Sequence, residues 1–515
     1  MSSSSDWLKV WSRVAPQSVA FKDAESGREY TYGFLYFSSC RLAAELASRF
    51  GVSRGDRVAV LATNELEYPV LFFAIQRLGA MMVPVNFRLT SREISHILTD
   101  SEAKVIVSQR QFDDVLANAS GVPGRRWSFD GDGSLSAWLG NEHRIFAMED
   151  LESKLRLEGN SWERGFDGEE DSASMVLYTS GTTGAPKGAL ITNKMLLWNS
   201  INTSLRLNLN QTDVSLSFLP FFHTGGWNVL LTPFVHRGAR TVIMKKFDAA
   251  RVLELCESER VTILFGVPTT MEMMAQAREF ENVDLSSLRY AIVGGEPMAI
   301  DLIRTWQKKN VPIRQGFGLT EFGPNVFSLN EEDAIRKIGS IGFANFYVDV
   351  RIVDDAGNDV PRGQVGELVL SGPVCTPGYW KNPDATANAI KNGWFHTGDL
   401  VRMDEEGYFY VAGRKKDMFI SGGENVYPIE IEQCLSAHPE VREVAVIGVA
   451  DEKWGEVGKA FVSLHSGSKL SVDDVLEHCQ KNLAKFKIPK HIAFMPELPK
   501  GDSGKILKRA LRDRS

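Results

Sequence analysis

Eleven consecutive residues, Tyr178-Thr-Ser-Gly-Thr-Thr-Gly-Ala-Pro-Lys-Gly188, concentrate groups that can hold an anion. Gly181, Gly184 and Gly188 let backbone N–H groups come close to a charged oxygen. Thr179, Ser180, Thr182 and Thr183 add hydroxyl donors, and Lys187 adds a mobile point charge. Such a loop suits a polyphosphate. Its spacing is not GxxxxGK[ST], which disfavours a kinase or GTPase of the Walker type. A flexible Ser/Thr/Gly linker is the plainer alternative, but linkers rarely follow a buried strand or end in Pro-Lys-Gly.

The string resembles the signature loop of the adenylate-forming superfamily, which includes acyl-CoA synthetases, beetle luciferases and the adenylation domains of peptide synthetases. Further matches follow in the family's order: Pro220-Phe-Phe-His-Thr-Gly225, Gly294-Gly-Glu-Pro297, Gln315-Gly-Phe-Gly-Leu-Thr-Glu321, Trp394-Phe-His-Thr-Gly-Asp399, Gly413-Arg414 and Gly504-Lys505. Several short matches in order are far more specific than one. The first ~170 residues carry no signature motif and rest on pattern and position.

The resemblance implies a role for each matched residue. Activating a carboxylate through AMP needs charge neutralised at the α-phosphate and a bound Mg²⁺. Glu321 is the expected metal ligand, since Mg²⁺ takes one or two protein carboxylates and fills its other sites with phosphate and water. Thr320 can donate to a phosphoryl oxygen. Gly294, Gly295, Glu296, Pro297, Gln315, Gly316, Phe317 and Gly318 match the adenine-binding segments. Asp399 can accept hydrogen bonds from both ribose hydroxyls, with Arg414 beside it. Lys416 matches the hinge position, and Lys505 matches the catalytic lysine that stabilises charge on the α-phosphate. Gly501 departs from the family pattern, where many relatives carry a threonine.

His223 stands among aromatics, where histidine is more often a hydrogen-bonded packing residue than a base. The substrate carboxylate is already ionised, so His223 is assigned to the acyl-site gate, with Gly225, Gly226, Trp227 and Val293 expected in the acyl pocket. Gly422, Gly423 and Glu424 resemble the loop of coenzyme A-using members. Trp454, Phe486 and Lys490 lie where relatives stack and neutralise the CoA nucleotide, although the two aromatics can equally pack a small core.

The elements that must position these residues read as α/β. Short β-branched runs at 57–61, 81–85 and 104–108 alternate with helix-length segments at 66–78 and 91–99. The rhythm returns with strands at 174–178, 214–218, 241–244, 261–265 and 288–293, and helices at 249–258 and 300–309. Two doubly wound lobes follow. Short strands at 348–353, 366–370 and 407–411 predict a small β-rich lobe. The charged segment Gly413-Arg414-Lys415-Lys416-Asp417 predicts a boundary: an N-terminal adenylation domain over 1–413, a hinge at 414–416, and a mobile α+β C-terminal domain over 417–515.

Composition limits the partners. Sixty-five acidic against fifty-eight basic residues give a net charge of -7 over 515 residues, without a basic run that would signal nucleic acid. The five cysteines are dispersed without a CxxC pair, as expected in a reducing cytosol. The N-terminus lacks a signal-peptide pattern, and Pro, His and Arg interrupt every long apolar stretch. No transmembrane segment is expected; peripheral membrane contact and a monomer or homodimer stay open. The resemblance implies an acid–CoA ligase using ATP, Mg²⁺ and coenzyme A, with a medium- or long-chain fatty acid as the expected substrate. An aryl-acid–CoA ligase, an enzyme loading a carrier protein, and a catalytically silent nucleotide-binding protein are the alternatives.

Overall fold

The computed structural model describes residues 6–148, 169–179, 186–295, 298–500 and 506–513. Two compact units divide the chain: Met1–Asp349 with Leu370–Phe395, and Val350–Val369 with His396–Ser515. The fold is mixed α/β, with a large N-terminal domain and a small C-terminal one.

The larger unit holds two sheets. The first runs in the order Arg125–Ser128, Val105–Ser108, Arg57–Leu61, Met81–Pro84, Ala173–Thr179, Lys187–Thr192, parallel except for its last pair. Met81–Pro84 and Val105–Ser108 are buried along their whole length, which is why they read as unbroken apolar runs rather than alternating ones. Helices Tyr32–Phe50 and Glu67–Arg77 pack against each other over a core that includes Phe34, Phe37, Phe72 and Trp227.

The second sheet runs Glu29–Thr31, Val19–Asp23, Arg240–Ile243, Val214–Ser217, Ile263–Gly266, Tyr290–Val293, Ile313–Phe317, and continues antiparallel through Phe327–Ser328 to Ser340–Ala344. From Val19–Asp23 to Ile313–Phe317 every pairing is parallel.

One expectation needs correcting. The strand at 174–178 belongs to the first sheet, not to the later series, because Met175 pairs with Met82. Val19–Asp23, a strand the sequence reading did not mark, joins the second sheet beside Arg240–Ile243. Periodicity reports what kind of element a segment forms; which sheet it joins is set by distant pairing. In addition, the strand Lys187–Thr192 stands between the 178–188 string and the helix Asn193–Leu207, which starts at a Thr192 cap accepting from the Met195 N–H. Thr179 pairs with Lys187 across the two antiparallel strands that flank the string.

In the smaller unit, strands Asp349–Val353, Gly366–Ser371, Trp394–Met403 and Phe409–Arg414 lie side by side as the β-rich part. A second sheet is built from Phe419–Ser421, Glu424–Val426, Val441–Asp451, Gly455–Leu464 and His491–Phe494. Helices Pro428–Ser436 and Val472–Asn482 cover it over Phe419, Ile431, Leu435, Val446 and Val462. All five cysteines are free thiols. No helix among the described residues is long and apolar enough to cross a membrane.

Candidate active site

Adjacent parallel strands end together. Register aligns Gly266 with Val293 and Val293 with Gln315. The segments leaving these carboxyl ends, and that of Val214–Ser217 beside them, carry residues 220–225, Gly294–Gly295 and 318–321. In an open parallel sheet this is where a ligand crevice forms.

The backbone there leaves little room for side chains. A Cβ on Gly318 would lie 1.5 Å from the Pro324 carbonyl oxygen, and Gly295 has φ +89°. Gln315 is buried; its Oε1 accepts from the Met298 N–H at 3.2 Å, and its Nε2 has no partner among the described residues. A buried amide donor without a partner is a natural ligand contact. Gly316 and Phe317 end the strand Ile313–Phe317, with the Phe317 ring edge-on to Phe327 at 5.9 Å.

Thr320 and Glu321 sit in the short 3-10 turn Thr320–Phe322. Glu321 Oε1 accepts from the Tyr379 hydroxyl at 2.9 Å, and the Glu321 carbonyl accepts from the Thr376 N–H at 2.9 Å. The Lys187 ammonium lies 5.6 Å from the centre of the same Tyr379 ring. Thr179 and Lys187 are register partners at the end of their hairpin. One tyrosine thus touches both the lysine of the phosphate string and the carboxylate of the second sheet. Burial, then the Glu321 charge, holds the Tyr379 phenol far above its ordinary range, so it donates and does not ionise.

Residues 376–380 are tied along the strand Lys187–Thr192. Leu190 N–H donates to Gly378 O at 3.1 Å, Trp380 N–H to Gly188 O at 2.7 Å, and the Thr376 hydroxyl to Leu190 O at 2.7 Å. Sequence reasoning missed this segment. Its only local signal was an aromatic pair after a glycine, which has no period and no charged group.

No group of three Asp, Glu, His or Cys side chains among the described residues forms a complete metal set. Mg²⁺ does not need one when phosphate and water supply the remaining oxygens. Glu321, with one oxygen fixed by Tyr379 and the other accepting no hydrogen bond from the described residues, fits that requirement.

The expected acyl-pocket residues divide. A Cβ on Gly226 would lie 2.4 Å from Pro220 O, so glycine is required there by its own backbone turn. Gly225 and Gly294 both face the Phe265 ring, which their added Cβ atoms would meet at 3.6 and 3.5 Å. Phe265, not singled out from the sequence, borders a small recess with Ser215, Ser217, Phe218, Gly225 and Leu231. Val293 is buried at the strand end. His223 stacks near Phe222, with ring centres 4.7 Å apart. Trp227 is wholly buried against Tyr68, Phe72 and Phe221 and supports the segment from the core side.

In the smaller unit, Asp399 and Arg414 are register partners on antiparallel strands, and Arg414 Nε lies 2.7 Å from Asp399 Oδ1. Asp399 is buried, and its N–H donates to the Thr397 hydroxyl at 3.0 Å. Lys416 lies in the turn that follows, where Asp417 N–H closes back on Arg414 O at 2.9 Å.

Of the expected CoA residues, Gly422, Trp454 and Lys490 come together. A Cβ on Gly422 would meet the Trp454 ring at 2.6 Å, and the Lys490 ammonium lies 5.3 Å from the ring centre. Gly423 and Glu424 follow on the same hairpin. Phe486 sits in the turn Lys485–Lys487. Trp454 and Phe486 are 38% and 37% exposed, so neither belongs to the core of this unit.

Ser180, Gly181, Thr182, Thr183, Gly184, Glu296, Pro297 and Lys505 lie outside the described residues. Lys500 and Ile506, which flank the Lys505 segment, form an isolated antiparallel bridge.

The AMP-binding enzyme family model matches residues 8–380, and the AMP-binding enzyme C-terminal domain model matches residues 430–505. The chain is 38% identical over 508 residues to a feruloyl-CoA synthase of Amycolatopsis sp, covering 99% of this chain and 98% of that protein. It is 36% identical to the long-chain-fatty-acid–CoA ligase FadD13 of Mycobacterium tuberculosis, covering 98% and 97%. Among solved structures, ATP-bound MatB from Rhodopseudomonas palustris superposes with a TM-score of 0.86 at 31% identity, covering 98% of each chain. The O-succinylbenzoate coenzyme A synthetase of Bacillus subtilis, in complex with ATP and magnesium ion, superposes with a TM-score of 0.84 at 28% identity, covering 99% of each.

Proposed function

Because this chain belongs to the AMP-binding enzyme family, we propose that it is an ATP-dependent, AMP-forming acid–CoA ligase whose substrate is a carboxylic acid with an apolar tail. The observation that carries the reading is the contact chain Lys187–Tyr379–Glu321, which sets the lysine of a phosphate-type loop beside a carboxylate at the carboxyl ends of parallel strands. Relatives across the full length are named CoA ligases or synthetases.

The reaction has two halves. A carboxylate oxygen of the acid attacks the α-phosphorus of ATP, the bond to the β-phosphate oxygen breaks, and pyrophosphate leaves. The thiol of coenzyme A then attacks the acyl carbon, the bond to the AMP oxygen breaks, and the thiol proton passes to solvent. Residues 179–187 hold the departing phosphates, with Lys187 as their point charge. The buried Gln315 Nε2 and the segments at 294–297 and 315–318 receive adenine. Asp399 takes the ribose hydroxyls and Arg414 keeps it oriented. Glu321 would hold Mg²⁺, which when bound supplies neutralisation of phosphate charge. Thr320 donates to a phosphoryl oxygen. Lys505 stabilises the α-phosphate during adenylation. A domain turn about Lys416 then brings Gly422, Gly423, Glu424, Trp454, Phe486 and Lys490 to the thiol's nucleotide. The division into 1–413, 414–416 and 417–515 is part of this proposal.

The finer substrate is a medium- or long-chain fatty acid, the class named for the relative FadD13, which is 36% identical over 506 residues. A second reading, an aryl acid, is favoured by the feruloyl-CoA synthase relative, which is 38% identical over 508 residues. Free thiols throughout fit a cytosolic enzyme.

A panel of fatty and aryl acids, scored for AMP release with and without coenzyme A, tests the proposal. Acid-dependent AMP release that rises with coenzyme A is expected. Release independent of any acid on the panel would sink it, and preference for aryl acids would replace the fatty-acid reading by the second one.

A further inference from the structure

We infer that Tyr379 is a positioning residue that sets the Glu321 carboxylate for its divalent cation and holds Lys187 in line with it; the inference rests on the proposed function. Three observations meet at this side chain. Its hydroxyl donates to Glu321 Oε1 at 2.9 Å. Its ring faces the Lys187 ammonium at 5.6 Å. Its backbone bridges to Ala189, so it is anchored on the strand that begins with Lys187.

The geometry gives the hydroxyl a distinct task. A glutamate in a three-residue 3-10 turn has rotatable χ angles and no helix to orient it. With Oε1 engaged, the carboxylate plane is fixed and Oε2 is the oxygen left for a cation. The ring has a separate task. It limits where the Lys187 ammonium can lie, while the Thr376 hydroxyl and N–H fix the segment to Leu190 and Glu321. One strap therefore sets the separation between a cationic and an anionic group carried by two different sheets.

Hydroxyl and ring are separable by substitution. In the full-length enzyme, Tyr379→Phe keeps the ring and removes only the donor. Mn²⁺ uptake by the enzyme at fixed ATP, read as the loss of the free-ion electron paramagnetic resonance signal beyond that caused by ATP alone, should weaken roughly tenfold to a hundredfold, as expected for one hydrogen bond to a charged group. The thermal midpoint should stay at its wild-type value. Tyr379→Leu, which removes the ring as well, should also raise the KM for ATP. Glu321→Gln should weaken Mn²⁺ uptake strongly, and adding Tyr379→Phe to it should change nothing further, because the two act as one unit. Wild-type Mn²⁺ uptake in Tyr379→Phe, or additive effects in the double variant, would overturn the inference while leaving the ligase reading intact. Unchanged uptake in Glu321→Gln would overturn the metal role of Glu321, and this inference with it.

Discussion

At the scale of single residues, the site depends on glycines whose missing side chains are occupied by backbone. Gly318 is the sharpest case, since its Cβ would stand 1.5 Å from a carbonyl oxygen of Pro324, and no side-chain motion can relieve a clash with backbone. Gly318→Ala must therefore displace the turn carrying Thr320 and Glu321. A destabilisation of about 1 to 3 kcal/mol is expected from such overpacking, measured by urea unfolding, together with a loss of adenylation larger than the loss of stability explains. A variant as stable and as active as the wild type would show that the turn does not depend on this close approach. The same reasoning separates Gly226, which its own turn requires, from Gly225, whose Cβ would make an ordinary contact with Phe265. Gly225 is the position where substrate range can change without cost to folding.

At the scale of elements, the N-terminal helix Trp7–Val14 shows how a segment without any motif is held in place. Trp7 stacks on His236 with ring centres 4.6 Å apart, and Trp11 Nε1 donates to His236 O at 3.1 Å. Asp6, which caps the helix, pairs with the buried Arg77 at 2.8 Å. The His236 ring is itself 2.7 Å from the Ser200 hydroxyl through Nδ1. Burial, then the Arg237 charge, lowers the His236 pKa from its ordinary value to about 4. The sign follows from linkage. The unfolded chain takes up the proton first, near pH ~6.5, so this group's contribution is complete above that pH and is lost as pH falls toward the folded value. The loss approaches about 3 kcal/mol at its largest. His236→Gln should thus flatten the fall in thermal midpoint between about pH 6.5 and 4.5 relative to wild type. An identical slope in both proteins would show that His236 does not titrate against folding.

At the scale of the whole molecule, the proposed mechanism asks one lysine near the end of the chain to serve only the first half-reaction. Lys505→Ala should reduce acid-dependent pyrophosphate exchange by on the order of 10² to 10³, the usual cost of one aimed donor. Thioester formation from supplied acyl-adenylate and coenzyme A should remain close to wild type. Equal loss of both half-reactions would contradict a C-terminal domain that changes its presented face between steps, and would point to general loss of structure instead.

What the sequence by itself determined was the kind of each element. The runs at 57–61, 214–218 and 249–258 became Arg57–Leu61, Val214–Ser217 and Ala249–Ser258 because apolar periodicity is a local property. Asp399 and Arg414 were expected together from the family resemblance, and they stand opposite each other as register partners. Only the tertiary structure decided which sheet each strand joined and which side chains met across sheets. The pairing of Met175 with Met82, the placing of Val19–Asp23 beside Arg240–Ile243, and the contact of Tyr379 with both Lys187 and Glu321 span tens to hundreds of residues. Phe265 between two glycine faces is a contact of the same kind. Such contacts leave no periodic trace, because they are selected by packing of the completed sheets and not by any preference of the residues for their neighbours in the chain.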